Sequence, residues 1–172
     1  MKYYFIALVF LLTSSCQSQS QSQSQGYENL DTLYSDFVSS LKLNDTELKK
    51  YCFKITPDAG TIKYMEKNNF SYRGIPEELK KQNIAVSLIG EKYFESVSYF
   101  KQKLVANNQL NTLVYIGREN KGEELFDKRL GIYATETFIT MKSGNDTIRC
   151  KLGEMFKIDG KWKSFTSPKL GW

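Results

Sequence analysis

The spacing of apolar residues changes once along this chain, and that change limits its folds more than any other feature. Up to about residue 105 the apolar residues recur every three or four positions, the spacing of one helix face. Leu30, Leu33, Tyr34, Phe37, Val38 and Leu41 form one such stripe, and Asn44-Asp45 breaks it. Leu48 and Cys52 share a face of a short helix over 46–53. Thr56-Pro57-Asp58 reads as N-cap, first-turn proline and first-turn acid of a third helix, with Ala59, Ile62 and Met65 inward. Residues 68–74 read as loop, and Pro76-Glu77-Glu78 opens a last helical region running to about Val105. From Asn111 the period is two. A strand is predicted over 112–118 and a charged turn over 119–122. Two long alternating strands, 131–141 and 147–158, are joined by Ser143-Gly144-Asn145-Asp146, and Asp159-Gly160 is a strong hairpin signal leading into 162–166. Helices first and strands second predict an α+β domain: N-terminal helices packed on one face of a curved C-terminal antiparallel meander.

Register follows from the loop at 143–146. It sets Met141 opposite Ile148, Ile139 opposite Cys150, Thr137 opposite Leu152, Thr135 opposite Glu154 and Tyr133 opposite Phe156. Glu136, Thr140, Arg149, Lys151 and Lys157 then gather on the other, solvated face, where Phe138 and Met155 also fall. Glu154 is the exception, a carboxylate on the apolar side. Burying an unpaired carboxylate costs on the order of several kcal/mol, so it is neutral, paired or open to water. One reading makes Tyr133, Thr135, Thr137 and Glu154 the rim of a small pocket. The other places Glu154 near a sheet end, reaching solvent or pairing with Lys161 or Lys163. In the last hairpin a tight two-residue turn sends Trp162 outward beside Lys157, and a bulged turn sends it inward.

The chain has no histidine, which removes the commonest general base, Ser-His and Cys-His nucleophiles and imidazole metal sites. It has no phosphate-loop, dinucleotide or nucleophile-elbow motif, so no cofactor is implied. The stretch 123–129 lacks the spacing of a calcium loop and reads as a solvated helix or turn. A formal net charge of +5, spread among Asp and Glu without a basic block, does not make a nucleic-acid footprint.

The N-terminus says where the domain works. Lys2, an apolar run over 3–12 and small residues at 13–15 follow the plan of a secretory signal, too short to span a bilayer, which takes roughly 20 residues. Cys16 follows, and the segment resembles a bacterial lipobox, with Thr13 where Leu is usual. Acylation of Cys16 would anchor the chain in the cell envelope, on the outer membrane facing the periplasm or the cell surface. Residues 17–25 alternate Gln and Ser, a composition that cannot offset ordering entropy and so forms a tether. The organisation expected is therefore signal 1–15, anchor and tether 16–26, and one domain 27–172. Outside the cytosol Cys52 and Cys150 can be oxidised; a disulfide and two buried thiols are both compatible with the sequence.

The order of elements, from Phe37-Val38-Ser39-Ser40-Leu41-Lys42-Leu43-Asn44-Asp45 through Thr56-Pro57 to the closing Ile158-Asp159-Gly160-Lys161-Trp162-Lys163, resembles the nuclear transport factor 2-like superfamily. The N-terminus is similar to small lipoproteins of the Bacteroidota. The resemblance implies a cone, a sheet curved around helices, sometimes with a ligand pocket. Three functions follow. The first is a non-catalytic binding domain for a protein partner or small ligand. The second is a pocket enzyme like ketosteroid isomerase, using Glu154 as base and Tyr133 as donor. The third is an inhibitor or immunity protein whose 119–124 loop plugs an envelope enzyme.

Overall fold

The computed structural model describes residues 25–119 and 123–170. The signal 1–15, Cys16, the tether up to residue 24 and the centre of the 119–124 loop lie outside the described residues. Five helices come first: α1 (Leu30–Leu41), α2 (Asp45–Ile55), α3 (Ala59–Lys67), α4 (Ile75–Lys81) and α5 (Ser87–Ala106). Eight strands follow: β1 (Leu113–Glu119), β2 (Glu124–Asp127), β3 (Ile132–Thr135), β4 (Phe138–Ser143), β5 (Asp146–Lys151), β6 (Met155–Ile158), β7 (Lys161–Ser164) and β8 (Lys169–Leu170). The molecule is α+β, with antiparallel pairing throughout. Among the described residues no helix is long and apolar enough to cross a membrane.

Side-chain caps set the helix starts. Asn29 accepts the N–H groups of Asp31 and Thr32, and Asn44 accepts that of Glu47. The third start differs from expectation: Asp58, not Thr56, is the N-cap of α3, accepting the Thr61 N–H at 2.8 Å. Pro57 holds the preceding residue extended, so Thr56 ends α2 instead, its hydroxyl donating to the Cys52 carbonyl at 2.9 Å. The helical region after Pro76 is two helices, parted where Asn83 takes a left-handed φ of 51°.

The expected long hairpin is cut in two. One sheet runs β1-β4-β5-β8 and the other β2-β3-β6-β7. β4 and β5 pair as predicted, Met141 with Ile148 and Ile139 with Cys150. Beyond the break the register is shifted: Thr135 faces Met155, Ala134 faces Phe156 and Tyr133 faces Lys157. Residues 136–137 on one strand oppose 152–154 on the other, and one extra residue reverses every side chain past it. The turn is made at Gly153, with φ +102°, where a Cβ would overlap Ser164 Oγ and the Thr166 carbonyl oxygen.

Two apolar clusters form the core, and the first also takes Met155 of β6 and Trp162 of β7 from the second sheet. α1, α2 and α5 pack on the first sheet through Leu33, Phe37, Val97, Phe100, Ile139 and Met141, all essentially without solvent contact. Met65, Phe70, Tyr72, Phe156, Ile158 and Phe165 form a second cluster, seated on the other sheet under α3 and the 68–74 loop. Cys52 and Cys150 both lie in the first core as free thiols, the second of the two sequence readings. Burial raises the Cys52 thiol to about 12 and the Cys150 thiol higher still.

Two further expectations are corrected. Residues 124–127 are an edge strand rather than a solvated turn, because Glu124 and Leu125 pair with Ala134 and Tyr133. The Asp159-Gly160 turn is the tight one, both residues left-handed (φ 50° and 73°), and it sets Trp162 opposite Lys157. Trp162 is nevertheless buried because its side chain joins the first core, and the segment entering the domain bridges to it, the Trp162 backbone N–H donating to the Tyr27 carbonyl at 2.7 Å.

Candidate functional site

A half-open cleft of about 310 Å³ lies at the end of the second sheet, beside the break between the two sheets. Its floor is aromatic. Phe156 on β6 sits 4.4 Å from Tyr72 of the 68–74 loop and 5.0 Å from Phe126 on β2, measured between ring centroids. Phe126 stands edge-on to both Phe156 (86°) and Tyr72 (77°), and remains 52% exposed. Edge-to-face contacts of this kind are worth about 0.5–1.5 kcal/mol each beyond burial, so the floor is pre-shaped. Ala134, between Glu124 and Phe156 in the pairing, lets the rings approach.

Carboxylates stand around this floor: Glu124 from β2, Glu136 from the break and Glu154 from the segment before β6. Two are paired. Glu136 bonds the otherwise buried Lys151 ammonium at 2.8 Å, and Glu154 bonds Arg73 Nη2 at 3.0 Å. The Arg73 guanidinium also lies 5.2 Å over the Tyr72 ring. The Glu154 backbone is held at both ends, its N–H donating to Thr166 Oγ1 at 2.8 Å and its carbonyl accepting from Phe165 at 3.0 Å. Among the described residues no cation pairs with Glu124. No group of three or more potential ligands there is arranged to hold a metal ion.

Of the four residues singled out as a pocket rim, Thr135 and Glu154 line the cleft. Thr137 is buried behind it, its hydroxyl 2.9 Å from that of Thr135. Tyr133 is turned away. It lies between Ile132 and Ala134, whose side chains join the second core, and so projects from the opposite face, paired with Leu125 and Lys157. The Glu154–Tyr133 constellation is therefore not assembled, and the partner of Glu154 is Arg73 rather than Lys161 or Lys163.

The residues that sequence reasoning missed, Tyr72, Arg73, Glu124 and Phe126, sit in a loop and a four-residue edge strand, segments too short to show a period. The alternation Phe70–Tyr72 and the triplet Glu124-Leu125-Phe126 were the only available signals.

Lys163 is the other unusual charge. Its side chain has no solvent contact, and Nζ donates to the carbonyls of Lys54 and Thr56 and to Asp58 Oδ2, at 3.0, 3.0 and 2.9 Å. All three ammonium donors are used, so this group ties β7 to the α2–α3 corner and has none left for a ligand. A larger depression, about 480 Å³, lies along α1 and α2 and is edged by Asp36, Glu47, Lys50 and Lys54. Its aromatic lining is the tilted pair Tyr27 and Tyr51, 6.1 Å between centroids, and Lys54 Nζ already covers the Tyr27 ring at 3.7 Å.

Comparison with family models, curated proteins and solved structures finds no match.

Proposed function

We propose that this protein is an envelope lipoprotein, anchored through Cys16, whose folded domain binds a small organic ligand in the aromatic cleft. The nuclear transport factor 2-like resemblance belongs to the same reading: helices against curved antiparallel strands, with the ligand held between sheet and loop. The observation that carries it is the stack of Phe126, Phe156 and Tyr72, a pre-shaped apolar floor open to solvent. Ligand sites are concave, largely apolar and edged by a few fixed polar groups, at volumes of roughly 300–1,000 Å³. Binding rather than proton transfer of the ketosteroid isomerase kind is favoured because Tyr133, the donor that reaction needs beside Glu154, projects from the opposite face of β3.

A fragment screen by ligand-detected NMR tests the reading. Small aromatic fragments should bind, and Phe126→Ala should abolish their signals while leaving the fold intact, because that ring is half exposed. Hits indifferent to Phe126→Ala, or no hits, would reject it.

A further inference from the structure

We infer that the cleft takes a small organic cation, whose ammonium group replaces the Arg73 guanidinium on Glu154 and on the Tyr72 ring. The inference rests on the cleft being the binding site and names the chemistry of its ligand. Arg73 supplies the first argument. It stands outside the cleft lining but engages two of the lining residues, bonded to Glu154 at 3.0 Å and placed 5.2 Å over the Tyr72 ring. Its side chain is 63% exposed, so it is held weakly, as exposed ion pairs are. The site thus already displays both contacts that an aromatic-lined cation site uses, a carboxylate and a ring face, with a replaceable occupant.

Glu124 supplies the second. It stands on the same face of β2 as Phe126 and lacks a cation among the described residues. A neutral aromatic molecule settling on Phe126 and Phe156 would strip water from that carboxylate without replacing the lost interaction, and an anion would be repelled. An ammonium on an apolar stem satisfies both: the stem covers the rings and the charge meets Glu124 and Glu154. A metal ion fits poorly, since hard cations need six or more oxygens and the floor is ring carbon.

The test is calorimetric titration of the full-length protein in detergent with three probes of one shape: 2-phenylethylammonium, 2-phenylethanol and phenylacetate. The ammonium should bind about tenfold or more tightly than the alcohol, with phenylacetate weakest, and added salt should narrow the gap. Glu124→Gln should weaken the ammonium about fivefold and leave the alcohol unchanged. Arg73→Ala, which frees Glu154 and the Tyr72 face, should tighten the ammonium about fivefold. Equal affinity for ammonium and alcohol would overturn the cation while sparing the cleft. So would failure of all three probes alongside a positive fragment screen. An Arg73→Ala protein that binds the ammonium no better would overturn the exchange, and an empty screen would remove cleft and cation together.

Discussion

A buried lysine shows how one residue can be both expensive and indispensable. Removing Lys163 from water is unfavourable, and burial lowers its ammonium below the ordinary 10.5 despite the hydrogen bond and charge of Asp58. Burial pushes the Asp58 carboxyl up, but Lys163 and the Thr61 N–H and hydroxyl outweigh it, so its value lies below 3.8. A depressed carboxyl lends stability that is full above its unfolded value and is lost as pH falls through the folded one. Asp58→Asn keeps an N-cap for α3 while stranding the Lys163 charge. It should cost on the order of 3 kcal/mol at neutral pH and flatten the acid limb below about pH 4, measured by urea unfolding across pH. An unchanged acid limb would mean the pair carries none of that dependence. Lys163→Met, which fills the space without the charge, should cost less in an Asp58→Asn background than alone.

The last hairpins separate two kinds of glycine at the level of the element. Gly160 completes a tight turn with φ 73° and open space around its Cβ direction, so Gly160→Ala should cost about 1 kcal/mol of backbone strain. Gly153 combines φ +102° with collision against Ser164 and Thr166, so Gly153→Ala should cost on the order of 3 kcal/mol. Equal thermal shifts for the two variants would show that the corner relaxes freely. The turn at Asp159-Gly160 was legible because its chemistry is local. The corner at Gly153 was not, because the atoms forbidding a side chain come from the end of β7 and the segment after it. Missing it put Tyr133 on the wrong face, whereas Thr137 left the rim by being buried behind the cleft. Thr135 and Glu154 stayed, since they flank the break itself.

For the whole molecule, the proposed anchor at Cys16 should be separable from the folded domain. Nine alternating Gln and Ser residues, 17–25, part Cys16 from the domain, so on the proposed reading a Cys16→Ser protein should keep its unfolding curve and move from the membrane fraction to the soluble one. A membrane fraction that does not change would remove the anchor and leave the cleft untouched.

Period and punctuation within the chain sufficed for the class of fold, for the buried stripe of α1, for α2 closely, and for the β4–β5 register. Each of these depends on neighbours a few positions apart: a stripe, a cap, a four-residue loop. The division into two sheets, the bridge from Tyr27 to Trp162 and the gathering of Tyr72, Arg73, Phe126 and Glu154 depended on the tertiary structure. The contacts Tyr72–Phe126, Arg73–Glu154 and Tyr27–Trp162 join residues 54, 81 and 135 positions apart, and a pattern of near neighbours carries no record of what a distant segment will place against it.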